Sequence, residues 1–217
     1  MLLFENVTKK YGDTLVLDNV DLEVGPGEFI FLTGPSGAGK TTLLRLILKD
    51  EEADSGKILI DSQDISKVRK SDLYKIRRKV GFVFQDFRLL HTKNSFDNVA
   101  ISFEIKGKDK KQIEDLVPKA LAAVGLESKQ KNFPWQLSGG EKQRLAIARA
   151  LALDPKIIVA DEPTGNLDGA TSWEIISLLN DINKKEGTTI LVATHNSDVI
   201  NNLKKRVIHI EQGRIAK

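Results

Sequence analysis

Apolar and polar positions along this chain follow two rhythms that change places more than once. The first is twofold. Leu2–Val7 alternates weakly, and Val20, Leu22 and Val24 alternate with Asp21 and Glu23, as in strands with one solvated face. Gly25-Pro26-Gly27 predicts a turn into the apolar run Glu28–Thr33, which is short enough to be a buried strand. Thr42–Leu48 reads as a helix, Lys57–Ile60 as a strand, and Val80–Phe84 as a compact apolar strand ending at Gln85. From Asp86 to about Ala150 the period lengthens. Ile113, Leu116, Val117, Ala120, Leu121 and Val124 fall on one helical face. Pro118 sits within that run, where a helix interior would lose roughly 3 kcal/mol, so a kink or a helix start is expected there. After Asp154-Pro155 strands return. Ile157–Ala160 and Thr189–Thr194 are short apolar runs. Between them the capping box Thr171-x-x-Glu174 predicts the start of a helix with Ile175, Ile176, Leu178, Leu179 and Ile182 inward. Arg206–Glu211 with Gln212-Gly213 predicts a closing hairpin.

This order predicts an α/β core over 1–85 and 151–217 with antiparallel strands at its start, interrupted by a helical subdomain over 86–150. At 217 residues the chain suits one such domain. Its 33 basic and 30 acidic residues leave a net charge of +3, too near balance to argue for a nucleic-acid partner. The basic run Lys67, Arg69, Lys70, Lys75, Arg77, Arg78 and Lys79 reads as a solvated helix face. With no cysteine, disulfides and thiolate metal sites are excluded. The first residues show no basic stretch followed by a long apolar run, and no segment approaches the roughly 18 apolar residues of a membrane span. A soluble chain is expected.

The candidate chemistry centres on Gly34-Pro35-Ser36-Gly37-Ala38-Gly39-Lys40-Thr41, which fits G-x-x-x-x-G-K-[ST] at every fixed position. A chance match somewhere in a chain of this length is below roughly 1% at ordinary glycine frequency. An apolar strand before it and a helix after it are the context the motif requires, since backbone N–H groups must wrap phosphates at a helix N-terminus. Lys40 is placed to reach the β- and γ-phosphates of a nucleotide, with Thr41 to hold Mg²⁺. Ile157–Ala160 delivers Asp161-Glu162 to the end of a buried strand, the edge where open α/β sheets bind ligands. Asp161 would hold Mg²⁺ through water opposite Thr41, and Glu162 would take a proton from the attacking water or orient it. Ser138-Gly139-Gly140-Glu141 is a capping box for a helix over 141–153. Its two glycines do not favour a helix; they bare its first N–H groups and make, with the Ser138 hydroxyl, a second anion site.

Tyr11, Gly34–Thr41, Gln85, Leu137–Glu141, Ile157–Glu162, Asn166-Leu167-Asp168 and His195 occur in the order and spacing of an ABC-transporter-type ATPase domain, and the chain resembles that family over essentially its whole length. The resemblance implies a P-loop fold with a RecA-like core, an antiparallel β subdomain and an inserted helical signature subdomain. It implies ATP and Mg²⁺, and a head-to-tail homodimer holding two ATP molecules. Each ATP would lie between the phosphate loop of one subunit, Thr42 included, and Ser138, Gly139 and Gly140 of the other. By the same resemblance Tyr11 stacks on adenine, Gln85 touches Mg²⁺ or the water and reports to a membrane partner, Asp168 links the two sites, and His195 contacts the γ-phosphate. His91 and His209 match nothing and read as structural.

Val83–Leu90, Asp161–Asp168, Thr171–Ile175 and Ala193–Asn196 together resemble the cell-division branch of these ATPases, whose partner is the integral membrane protein FtsX. That branch implies control of peptidoglycan hydrolysis from the cytoplasmic face of the inner membrane. Gly165-Asn166-Leu167-Asp168 is shared with lipoprotein-release and macrolide-export ATPases, which form the alternative. Glu141 stands where many relatives have glutamine. A DNA-repair or translation ATPase of this fold would need a long coiled-coil insertion or a second ATP domain, and a non-hydrolysing switch should lack Glu162 or His195. Phe87, Leu89 and Leu90 are candidates for a groove that takes a helix of the membrane partner, with at least one of them expected in the core.

Overall fold

The computed structural model describes residues 2–216. Two sheets organise it. Strands β1 (Leu2–Tyr11), β2 (Thr14–Val24), β4 (Ser55–Ile60) and β5 (Gln63–Asp64) form an antiparallel sheet in the order β2-β1-β4-β5. The second sheet has the order β10-β9-β3-β8-β7-β6, made by β3 (Phe29–Thr33), β6 (Val80–Val83), β7 (Ile157–Asp161), β8 (Thr189–Ala193), β9 (Arg206–Glu211) and β10 (Arg214–Ile215). All its pairings are parallel except the expected closing hairpin of β9 and β10.

The uninterrupted apolar runs of β3, β7 and β8 follow from burial on both faces. Phe29, Phe31, Ile158, Ala160, Ile190 and Val192 point into one core, shared with helices α3 (Ser95–Ile105), α4 (Lys110–Ala122), α5 (Gly139–Leu151) and α6 (Gly169–Glu186). Their neighbours Ile30, Leu32, Ile157, Val159, Leu191 and Ala193 point into a second core, shared with the antiparallel sheet and helix α1 (Lys40–Ile47). Parallel pairing places the C-terminal ends of β3, β6, β7, β8 and β9 on one edge, and the functional loops leave from that edge.

Three local expectations are corrected. Pro118 neither starts a helix nor interrupts one: α4 begins at the capping box of Asp109 and Gln112 and continues through it. Burial of Ile113, Val117 and Leu121, at roughly 1.5–3 kcal/mol each, outweighs the proline's cost of about 3 kcal/mol. Helix α6 is capped by Asp168, whose carboxylate accepts from the Thr171 amide at 2.9 Å, so the helix opens before the Thr171 box. Residues 65–77 form two single 3-10 turns and the short helix α2 (Leu73–Arg77) rather than one long helix. Ile76 is its buried anchor, and the basic side chains lie mostly in solvent. Two further 3-10 turns, Glu127–Lys129 and Pro134–Gln136, lead into α5, and helix α7 (Ser197–Leu203) lies between β8 and β9.

Candidate active site

β3 ends at Thr33 and the chain turns through Gly34–Gly39 into α1. Two glycines here are required by space as well as by φ. A Cβ on Gly34 (φ 144°) would lie 2.0 Å from the carbonyl oxygen of Ile210, and one on Gly39 (φ 106°) would lie 2.7 Å from the Leu17 side chain. The loop encloses one face of a cavity of roughly 780 Å³. Gly34, Pro35, Ser36, Gly37, Gly39, Lys40, Thr41 and Thr42 line it, joined by Tyr11, Gln85, Glu162 and His195 from four other segments. Ala38 is buried beneath the loop, its amide donating to Pro35 O at 3.2 Å.

Lys40 is almost wholly buried, and its ammonium donates to the carbonyls of Gly34 at 2.7 Å and Pro35 at 3.0 Å. The cation is therefore held across the loop's mouth, beside the first amides of α1, which have no intrahelical acceptor. Thr41 Oγ1 donates to Asp161 Oδ1 at 3.2 Å. Burial, with the Glu162 charge beside it, raises the Asp161 carboxyl above its usual range, against the Thr41 hydrogen bond and the charges of Arg45 and Lys40. Asp161 does not itself line the cavity; it lies behind Thr41, which does, and with the Gln85 amide on the same wall the hydroxyl and carboxylate make an all-oxygen donor set that suits Mg²⁺. Among the described residues no group of three or more His, Cys, Asp or Glu forms a metal cage.

Glu162 follows β7 in the left-handed region (φ 46°), with its amide donating to Ala193 O at 2.9 Å. Glu162 and His195 Nδ1 lie 3.0 Å apart, with the carboxylate mostly buried and the imidazole mostly exposed. β7 and β8 are hydrogen-bonded neighbours, so the residues that follow their ends are brought together by sheet order. A non-glycine residue at positive φ carries strain, and here it aims a carboxylate into the cavity.

Ser138, Gly139, Gly140 and Asp168 do not line this cavity. Ser138 caps α5 reciprocally with Glu141, its amide donating to Glu141 Oε2 at 2.8 Å and its hydroxyl accepting from the Glu141 amide at 3.2 Å. The hydroxyl keeps a donor for another partner. The Ser138 amide, helped by Lys129, holds the Glu141 carboxylate below its usual range. The two glycines have a packing role that the sequence does not disclose. A Cβ on Gly139 would meet Leu167 at 3.0 Å, and one on Gly140 would meet Thr171 Cγ2 at 2.5 Å. Thr171 Oγ1 in turn donates to Asp168 Oδ2 at 2.7 Å. The Asp168 carboxylate is held below its usual range by the Thr171 amide and hydroxyl.

Sequence reasoning missed two lining residues, Val16 and Gly165. Gly165 leaves room for Gln85, whose Nε2 would lie 2.8 Å from a Cβ at that position. The sequence marks it only as the first residue of the Gly165–Asp168 segment, without a place in the site. Of the three apolar residues after Gln85, Leu89 is core, Phe87 is half-buried against the core and Leu90 is exposed. A groove beside them is lined by Arg45, Leu48, Phe82, Phe84, Arg88 and Asp161, among others. Among the described residues no helix is long and apolar enough to cross a membrane.

A strand, phosphate loop and helix, a strand-end Asp-Glu pair and a second capped helix start define the ATP-binding cassette. Residues 17–165 match the ABC transporter family, and the chain belongs to it. It is an ATP-binding and ATP-hydrolysing protein of that family. Within the family it is 47% identical to the cell division ATP-binding protein FtsE of Streptococcus pneumoniae over 98% of this chain and 92% of that one. It is 43% identical to FtsE of Bacillus subtilis over 100% and 95%. The methionine import protein MetN of Clostridium tetani is 40% identical over 100% of this chain and 68% of its own length. The dimeric ATP-binding cassette MJ0796 bound to ADP and phosphate superposes with a TM-score of 0.90 at 36% identity, covering 100% of this chain and 97% of that one.

Proposed function

We propose that this chain is the ATPase subunit of an FtsEX-like complex, which uses ATP to drive an FtsX-like integral membrane protein and so regulates peptidoglycan hydrolysis in cell division. The observation that carries this is 43–47% identity to FtsE proteins over nearly the whole chain, on a complete phosphate-loop site. In this reading the chain works at the cytoplasmic face of the inner membrane, held there by its partner. Tyr11 stacks on the adenine, and the phosphate-loop amides and Lys40 take the phosphates, the ammonium leaving Gly34 O and Pro35 O to do so. Thr41 and Asp161 hold Mg²⁺, with Gln85 beside them, and when bound the cation neutralises charge on the phosphate oxygens. Glu162 orients the attacking water and accepts its proton, and His195 steadies that carboxylate and reaches the γ-phosphate side.

Ser138–Gly140 and Asp168 belong to the second copy's ATP. None of them lines the cavity within one chain, which supports that assignment, and so does the dimeric state of the cassette MJ0796. The helical subdomain over 86–150 presents this signature, and the core over 1–85 and 151–217 presents the phosphate loop. The groove of Phe82, Phe84 and Arg88, with Leu90 outside it, is the docking place for a cytoplasmic helix of the membrane partner. Gln85, one residue beyond Phe84, ties that groove to the γ-phosphate.

The test is co-expression with the FtsX-like protein. Co-purification that Leu90→Glu and Arg88→Glu abolish, with folding and basal ATP hydrolysis retained, is expected. Recovery instead with a lipoprotein-release or macrolide/peptide export permease would move the chain to that branch, which the shared Gly165–Asp168 segment favours as the second reading.

A further inference from the structure

Trp135 is 64% exposed, more than any other large hydrophobic side chain among the described residues. Single exposed apolar residues are common and need no explanation. Trp135 differs in how it is held. Its ring stacks on Phe133 with centroids 4.5 Å apart and planes 17° from parallel. The Phe133 amide donates to Gln136 Oε1 at 2.8 Å, and the Gln136 amide to Phe133 O at 2.9 Å. Pro134 is buried and fixes φ at the turn, while Leu137 is buried immediately before Ser138. Asn132 O accepts from both the amide and the hydroxyl of Ser95 on α3, at 2.8 and 3.0 Å. The indole thus stands on a rigid pedestal three residues ahead of the signature serine, with its rotamer freedom already reduced. That is the condition under which tryptophan contributes most to an interface.

The opposite half of the proposed sandwich exposes a matching surface. Tyr11 (41%) and Leu15 (46%) stand exposed where β1 turns into β2, and Tyr11 and Val16 line the cavity, at the end where the proposed function places the adenine. In a twofold arrangement a contact from one face to the other occurs twice. We propose that in the ATP-closed dimer Trp135 seats on the rim of the second copy's nucleotide cavity, against Leu15 and the outer edge of Tyr11 of the partner subunit. The signature then closes over ATP with an apolar anchor at the base end as well as a polar contact at the phosphate end. This rests on the head-to-tail dimer of the proposed function.

The chain has two tryptophans, so Trp173→Phe in a Glu162→Gln background leaves Trp135 as the sole indole. With ATP, sedimentation should show a dimer in which Trp135 emission shifts to the blue and acrylamide quenching falls several-fold; ADP should leave both unchanged. Trp135→Ala and Leu15→Ser, each made with Trp173 intact, should raise the dimer dissociation constant at least about fivefold, and the double variant should cost little more than either alone. A sedimenting dimer with Trp135 as quenchable as before, or unchanged dissociation constants, overturns the contact and leaves the dimer standing. Failure to dimerise at any protein concentration removes the dimer reading and this inference with it.

Discussion

At the scale of single residues the site combines charges that the fold keeps under tension. Asp161 is the clearest case, because burial and the neighbouring Glu162 raise its carboxyl in the folded state. A raised carboxyl favours the folded state only while it is protonated, below about pH 4, and that advantage is lost as pH rises through the folded value. In Mg²⁺-free buffer Asp161→Asn should therefore melt a few degrees above the parent chain at pH 7.5, with the gap closing toward pH 4. A lower melting temperature for the variant at pH 7.5 would contradict this. Tyr11 sits at the other end of the cavity, exposed on the last residue of its strand. Stacking contributes on the order of 0.5–1.5 kcal/mol beyond area burial. Tyr11→Ala should weaken ATP binding several-fold in calorimetric titration, whereas Tyr11→Phe should leave it near the parent value.

Among elements, the contacts of α5 matter most. Its first turn abuts the start of α6 through Gly140 and Thr171, and Thr171 also holds the Asp168 cap. Gly140→Ala would place a methyl 2.5 Å from Thr171 Cγ2, and Thr171 cannot rotate away without losing its bond to Asp168. The variant should lose thermal stability and ATP turnover together, and Thr171→Ser, which removes the clashing methyl, should restore much of both. The far end of the same helix carries Arg149, which donates to Arg88 O at 2.6 Å and Phe87 O at 3.0 Å. Phe87 and Arg88 both have positive φ, at 62° and 44°. Burial lowers the Arg149 pKa, so the charge is partly desolvated and the two carbonyls are its compensation. Arg149→Ala should cost about 2–4 kcal/mol in denaturant unfolding, since it leaves the loop's carbonyls unpaired and its backbone unsupported. If its stability equals the parent's, the loop after Gln85 is held by other contacts.

On the scale of the whole molecule, the phosphate-loop cavity and the capped turn at Ser138–Gly140 do not meet within one chain. The cavity has the phosphate loop, Glu162 and His195 but not Ser138. Glu162→Gln should keep the phosphate contacts and block chemistry, so that ATP accumulates a nucleotide-bound dimer on sedimentation while turnover falls by at least about a hundredfold, as expected for loss of a general base. A Cβ on Gly139 already meets Leu167 at 3.0 Å, so a bulky side chain there must point outward, and on the proposed dimer it should abolish dimerisation while leaving ATP binding by the monomer intact.

Legible from the chain alone is whatever depends on neighbours within a few positions. The phosphate loop needs a strand, a run of glycines and a helix in immediate succession. The Ser138–Glu141 box closes within one turn, and the Arg206–Ile215 hairpin needs only a tight turn. The α/β class follows from periodicity, since a strand buried on both faces is apolar throughout. Only the folded arrangement settles what depends on elements distant in the chain. Sheet order, with β7 beside β8, sets Glu162 against His195. A 2.8 Å approach explains Gly165, and a Thr171 methyl explains Gly140. Folding also overrides a local signal: Pro118 is carried inside α4 by three buried side chains. The Thr171 box, by contrast, loses the start of α6 to another local signal, the Asp168 cap three residues before Thr171. Local rules govern hydrogen bonds and backbone angles, at about a kcal/mol apiece. Packing buries several side chains of one segment at once, each for more than a single hydrogen bond contributes, and where the two conflict the greater sum decides.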